Sequence, residues 1–380
     1  MNFALSDEQE LLREAARTAL GRARTLAAAR RELDEPGALP DLWPVATDAG
    51  WPGLLIAEGR GGAGLGAFEA MLVAEECGRV LAASPLLGFW PASELLDAAA
   101  DEACAAVADG ELRVAWLPVR PPADASEGWT VDPVRGYGRA PAPHAVLDGD
   151  HVRLFGTVAF ACDAAGADLL VAVGRDEDGA PVAAALDAGA NGVEITAVRR
   201  YDATRALAHV MLDGAVGRRL AVGEDALRRA WSLAQTLLAS EALGAAGSCL
   251  SMATEYARQR FTFGRAIGSY QGIKHPLTEV LRQVENARSL QYWAGWAWES
   301  RPEELALAAG ALRTAADRAL DYANTTNIVT HGGIGVTWEH DAPLFFRRAT
   351  LQPLLLGGTQ AATDAFAAEL ITRSRGPAHG

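Results

Sequence analysis

No two of the four cysteines, Cys77, Cys104, Cys162 and Cys249, are close enough to form a CxxC pair. A disulfide framework and a zinc site are therefore both unexpected. The seven histidines include no HExxH or comparable ligand spacing, so no metal is assigned. No apolar run reaches the roughly 20 residues that span a bilayer. The opening MNFALSDEQELLREAA is acidic and amphipathic, with Ser6 and Gln9 in capping-box register, unlike a signal peptide. A cytoplasmic location is expected. Positive charge is scarce: 34 Lys and Arg against 48 Asp and Glu leave a net charge of −14. Bulk electrostatics thus exclude nucleic acid and anionic membrane as partners, and any anion must be held by a local cluster. Internal repeats and low-complexity tracts are absent as well.

What remains is ample material for packed cores. The 380 residues are 50% hydrophobic and 22% charged, enough for two or three folded units. Residues 1–112 read as helices, with Leu11, Leu12 and Ala15 and then Met71, Leu72 and Glu75 to Cys77 at helical spacing, punctuated at EPGALP, WPGLL and ASPLLG. Residues 113–220 change period. HAVL-DGD-HVRLFG is two alternating runs around an Asp-Gly turn, and DLLVAVG-RDEDGAP-VAAAL repeats the theme, so an antiparallel β unit is expected. From 221 to 380 helices return as long runs at 222–260, 275–299 and 303–330, with GAAG at 244–247 as the main interruption. These suit a four-helix bundle, and Tyr292, Trp293 and Trp296 read chiefly as packing within it. The fold class is α+β in the order α–β–α.

Three stretches invite a chemical reading. GGAGLGA at 61–67 has the spacing of a dinucleotide fingerprint before a helix, but no second strand follows, so a flexible loop is expected. In EYARQRFTFGRAIGSYQGIKH at 255–275, Arg260 falls at a helix end beside Phe263 and Gly264. A guanidinium fork suits phosphate oxygens and a phenyl face suits a flat ring, although a cation at a helix C-terminus is also ordinary. THGGIGVTWEHDAPLFFRRA at 330–349 follows a long helix, and its glycines permit close backbone approach or a plain C-cap.

Together, R-x-x-F-G-x-x-I-x-x-x-Q-x-x-x-H and H-G-G-I-G-x-T-W-E resemble the signatures of the acyl-CoA dehydrogenase family. LSDEQELLR at 5–13, GWPGLLIAEGRGGAGLG at 50–66, GTVAFACDAAGADLLVAV at 156–173 and YDATRALAHVMLDG at 201–214 extend the likeness over almost the whole chain. The resemblance implies an N-terminal helical domain, a middle antiparallel β domain and a C-terminal four-helix bundle. It also implies FAD as cofactor, an acyl-CoA substrate and an acceptor such as electron-transfer flavoprotein. The expected assembly is a homotetramer, or an α2β2 tetramer with a homologous chain. By position, Arg260 would contact the FAD diphosphate and Phe263 the adenine side, with Gln271, Gly332 and Gly333 along the same cofactor of a neighbouring subunit. Thr359 would touch the subunit's own flavin.

The resemblance breaks at the catalytic base. The Glu that precedes Gly-Thr in many members is replaced by Gly357, and the alternative position on the first long C-terminal helix is Ala234. Glu241, a lone acid in AQTLLASEALGAAGSC, remains as a candidate base or as a structural partner for an Arg. The family's flavin- and thioester-holding stretch has no counterpart in AWLPVRPPADASEGW at 115–129, and Val329 stands where Gln is frequent. Three readings follow. One is an active dehydrogenase using Glu241. Another is a catalytically degenerate partner subunit that supplies its cofactor edge to a homologue. The third is a dehydrogenase of carrier-bound acyl groups, docked through Arg347 with Arg348 or Arg218 with Arg219.

Overall fold

The computed structural model describes residues 4–35, 37–118, 130–132, 138–140, 142–198 and 201–375. The first helix, α1 (Asp7–Arg22), opens as its sequence requires: Gln9 N–H donates to the Ser6 hydroxyl at 3.2 Å and Ser6 N–H to the Gln9 side chain at 3.0 Å. It is followed by α2 (Thr25–Glu32), α3 (Trp43–Asp48), α4 (Ala67–Arg79), α5 (Leu86–Ala98) and α6 (Cys104–Ala108). The GGAGLGA loop folds back on residues 53–57. The N–H groups of Gly62, Ala63, Gly64 and Leu65 donate to the carbonyls of Ala57, Gly53, Ile56 and Leu54 at 2.8–3.2 Å. Its donors are thus engaged within the chain, so the loop is pinned instead of flexible and has no open cradle for a phosphate.

The middle of the chain forms β1 (Val114–Leu117), β2 (Thr130–Asp132), β3 (Gly138–Ala140), β4 (His144–Asp148), β5 (His151–Cys162), β6 (Leu169–Arg175), β7 (Pro181–Asp187), β8 (Val193–Ala197) and β9 (Leu207–Arg219). The Asp-Gly turn closes β4 onto β5, with Asp148 opposite His151 and Gly149 at φ +59°. The sheet is antiparallel except where β1, and one residue pair of β4, run parallel to β6. Its inner face forms a separate core around Leu154, Val158, Leu170 and Val210. Of the stretch at 115–129, residues 119–129 lie outside the described residues.

Three long helices complete the chain: α7 (Glu224–Gln259), α8 (Gln271–Ser300) and α9 (Pro302–His331), joined by a small β10 (Phe261–Thr262) and β11 (Arg265–Ala266) hairpin and followed by α10 (Ala342–Leu351) and α11 (Thr359–Arg375). Helix α4 joins this bundle through glycine. A methyl at Gly78 would overlap the Glu241 carbonyl, and one at Gly244 would overlap the Glu75 carbonyl. The helices therefore cross backbone to backbone. The aromatic patch on α8 packs inward: Tyr292 lies 5.0 Å from the Phe68 ring, and Trp293 donates to Glu304 at 3.1 Å. One core cluster runs through both helical regions, and it includes the buried Ala234 and Ala242 of α7 with Phe89 and Trp90 of α5.

Candidate active-site regions

At one end of the bundle α7 stops at Gln259, and Arg260 turns into an extended conformation at φ −81°, ψ 125°. Its N–H donates to the Tyr256 carbonyl and its own carbonyl accepts from Ile267 N–H, both at 2.8 Å. Phe263 and Gly264 form the tip between β10 and β11 with φ of +48° and +78°. Two successive positive φ values are what a tight two-residue hairpin needs. Tyr270 braces the hairpin by donating to the Thr262 carbonyl at 3.0 Å, while the Arg265 guanidinium sits 4.1 Å over its ring. Phe263 is 93% exposed, an unusual state for a large apolar ring. Gln271 begins α8 and is exposed.

The end of α9 lies alongside. The His331 ring is 4.4 Å from that of Tyr256 and 4.0 Å from that of His340, and its Nδ1 is 2.9 Å from the Asn327 carbonyl. Burial, reinforced by neighbouring His331, holds the His340 imidazole below its ordinary pKa, against the opposing pull of Asp341. Gly332 then leaves the helix at φ +62°, ψ −135°, and a Cβ on Gly332 or Gly333 would meet nothing within 4 Å. Arg260, Phe263, Gln271, Gly332 and Gly333 thus gather at one end of the bundle. Arg258, Arg260, Arg265, Lys274 and His275 form a basic cluster there. Among the described residues none of them makes an ion pair.

Glu241 lies deep in the protein. It accepts from Arg205, which reaches it with both terminal nitrogens, Nη1 at 3.2 Å, and from Arg348 at 3.4 Å. Arg348 also bonds Asp202 at 2.6 Å and the Thr204 hydroxyl at 2.7 Å. Burial alone would raise the Asp202 carboxyl, but the Arg348 guanidinium and the Thr204 hydroxyl overcome it and hold that pKa below the usual carboxylate range. All four charged residues are at most 5% exposed. Burial drives the nearby Cys162 thiol up to about 12, so it stays protonated and inert. This network was invisible in sequence apart from the solitary Glu241.

Gly357 and Thr359 sit elsewhere. Leu356, Gly357 and Gly358 have φ of +51°, +83° and +86°, three consecutive left-handed residues. Around them Arg313 donates to the carbonyls of Gln352 at 2.9 Å and Leu355 at 3.2 Å, and Gln235 donates to that of Leu356 at 3.0 Å. Arg313 pairs with Asp317 at 2.5 Å, and the Thr359 hydroxyl donates to the same carboxylate. The nearest atoms to a Cβ at Gly357 would belong to the Trp231 ring, 3.7 Å away. Trp231 and Arg260 are separated by most of α7, roughly 40 Å at 1.5 Å per residue. Arg260 and Gly357 therefore line two different sites. The proposed basic patches also resolve differently. Arg348 is buried, Arg218 is held by Asp101 at 2.6 Å, and Arg347 stacks between Tyr201 and Trp338 at 4.6 and 4.8 Å.

The sequence matches the acyl-CoA dehydrogenase N-terminal domain over residues 6–118 and the C-terminal domain over 223–371. It is 31% identical to the acyl-CoA dehydrogenase IpdE2 of Mycobacterium tuberculosis, covering 90% of this chain and 91% of that one. The Mycolicibacterium smegmatis protein of the same name is 29% identical over 93% of this chain and 96% of its own. Among solved structures, the ChsE4-ChsE5 complex from Mycobacterium tuberculosis is similar at a TM-score of 0.85, with 25% identity and 100% coverage of both chains. A variant of the Tcur3481-Tcur3483 steroid ACAD is similar at 0.84, with 27% identity, 97% of this chain and 99% of that one covered. The two matched domains flank a central sheet, and the chain belongs to the acyl-CoA dehydrogenase family.

Proposed function

We propose that this chain works in an FAD-dependent acyl-CoA dehydrogenase built as an α2β2 tetramer with a homologous chain, to whose flavin it lends the Arg260 edge. The observation that carries this is a contrast between the two ends of α7. At the Arg260 end the basic cluster is exposed and makes no ion pair among the described residues, and the glycine approach at 332–333 is open. Those donors fit a diphosphate. At the other end the base position is Gly357, the Thr359 hydroxyl is engaged by Asp317, and Ala234 is buried. FAD, where bound, accepts the hydride that leaves the β carbon of the acyl thioester.

In this reading Arg260 holds the flavin diphosphate, Phe263 covers the adenine side, and Gln271 with the Gly332–Gly333 backbone lies along the cofactor. Glu241 is structural. Its carboxylate is shared between the Arg205 and Arg348 guanidiniums and braces them against each other in the interior. The proton from the α carbon is taken by the partner chain. The two-component assemblies among the similar structures support a heteromeric assembly. Carrier docking finds less support, since one arginine of each adjacent pair is engaged, Arg348 buried with Asp202 and Arg218 with Asp101.

The test is purification of the chain alone and with a homologous chain encoded beside it. The lone chain is expected to carry little flavin and to leave it oxidised with any acyl-CoA. The co-purified complex is expected to be yellow and active. Full flavin occupancy and turnover in the lone chain would sink this reading.

A further inference from the structure

A second basic cluster lies on the N-terminal helices, where α1 turns into α2. Arg22, Arg24, Arg30 and Arg31 line an open hollow of about 590 Å³, with Ala27 and Ala28 between them. That volume lies within the roughly 300–1,000 Å³ of small-molecule sites. Among the described residues neither a carboxylate nor an aromatic ring lines it. Arg30 is matched by Asp341. Arg22, Arg24 and Arg31 are exposed and make no ion pair among the described residues. Glu32, the acid next to Arg31, is occupied by the backbone: it accepts from Gly37 N–H at 2.8 Å and Leu39 N–H at 3.1 Å.

A cation in the last turn of a helix is ordinary, which accounts for Arg22 on α1 and for Arg30 and Arg31 on α2. It does not account for Arg24. That residue is the N-cap of α2, where the helix dipole disfavours a cation, and its φ of +49° lies where glycine is favoured. No side chain caps this end of α2. Arg24 and Arg31 stand seven residues apart, two turns along one face and roughly 10 Å along the axis. The alanines between them leave that gap clear. Two guanidinium forks reaching across it can grip neighbouring phosphoryl groups, and Arg22 brings a third. Left empty, the hollow holds like charges side by side in a protein of net charge −14.

We propose that this hollow binds a diphosphate group through Arg22, Arg24 and Arg31, and that it recognises the phosphates alone, since no ring is present to stack a base. The Arg30–Asp341 pair joins α2 to the segment after Gly332 and Gly333, so the test must separate the hollow from the flavin edge. The proposal does not rest on the division of labour given above.

The experiment is isothermal titration of sodium pyrophosphate into the full chain in the assembly it forms, at low ionic strength. The parent and Arg260→Ala, which weakens the other basic cluster, are both expected to show one saturable site per chain at the hollow. Arg24→Gly suits the left-handed backbone and removes the guanidinium, and Arg31→Gln keeps the side chain's length without its charge. Each is expected to weaken pyrophosphate binding about 10- to 100-fold. Sulfate, with a single tetrahedral centre, is expected to bind more weakly than pyrophosphate, and adenosine diphosphate no more tightly. Circular dichroism melting checks that the variants are folded. Absence of the site in Arg260→Ala, parental affinity in both α2 variants, or tighter binding of sulfate or adenosine diphosphate overturns the proposal. Loss of flavin from a complex carrying Arg24→Gly and Arg31→Gln also overturns it, because those arginines would then belong to the flavin edge. A failed flavin-edge reading leaves pyrophosphate binding at α2 intact.

Discussion

Glu241 shows how one side chain's role depends on its partners. In sequence it is a solitary acid on an apolar helix, the pattern of a catalytic base as much as of a buried ion pair. Its carboxylate is shared by Arg205 and Arg348. Removing one member of such a network leaves a buried charge uncompensated, at about 3–5 kcal/mol. Glu241→Gln is therefore expected to lower unfolding stability by about that amount in a denaturant titration. A variant as stable as the parent, within an active complex that had lost turnover, would return Glu241 to the role of base. Gly357 is the complementary case. With φ at +83°, Gly357→Glu is expected to cost about 1–2 kcal/mol and to give the lone chain no flavin bleaching with an acyl-CoA. Bleaching by that variant would mean the site lacks nothing except its base.

The crossing of α4 and α7 carries the corresponding argument at the scale of the element. Two glycines in GAAG look alike in sequence, and helix propensity counts both as losses of up to about 1 kcal/mol against alanine. The structure separates them. A methyl at Gly244 would overlap the Glu75 carbonyl, whereas at Gly247 its nearest neighbour would be the flexible end of Arg79 at 3.8 Å. Gly244→Ala is thus expected to destabilise by about 1–3 kcal/mol, since the backbones must part. Gly247→Ala is expected to be neutral or to stabilise by a few tenths of a kcal/mol or more. Thermal midpoints of the pair check the contrast. A similar logic governs the hairpin after α7. Phe263 at φ +48° followed by Gly264 at +78° folds β10 tightly onto β11 and leaves Arg260 and Phe263 outward.

At the scale of the whole molecule, α7 is a rod with a different chemistry at each end. An overall charge of −14 makes the exposed cluster at Arg258, Arg260, Arg265, Lys274 and His275 a local exception, as anion binding by an acidic protein requires. Arg260→Ala is expected to weaken FAD binding to the assembled complex about 10- to 100-fold, from a charge-assisted bond worth about 1.5–3 kcal/mol. The fold of the variant should be unchanged, because the guanidinium has no partner among the described residues. Retained flavin affinity, measured by dialysis of the holo complex, would mean the edge serves some other anion.

The order of helices, sheet and helices was legible because the elements announce themselves locally. Ser6 with Gln9 caps α1, the Asp-Gly turn sets β4 against β5, and α7 runs through 36 residues without a proline. The same locality made the Arg260 and Gly332 stretches readable as candidates, since turn and cap chemistry sits within a few residues. The parallel pairing of β1 with β6 was not legible, because register between distant strands is set by packing. Neither was the fate of Glu241, whose partners lie 36 and 107 residues away, nor the burial of Arg348, nor the closure of the GGAGLGA donors on residues 53–57. A sequence states which groups are present and which local geometry they favour. Which distant charge neutralises which, and hence whether an acid is a base or a brace, was decided only when the tertiary structure brought them together in a medium without water.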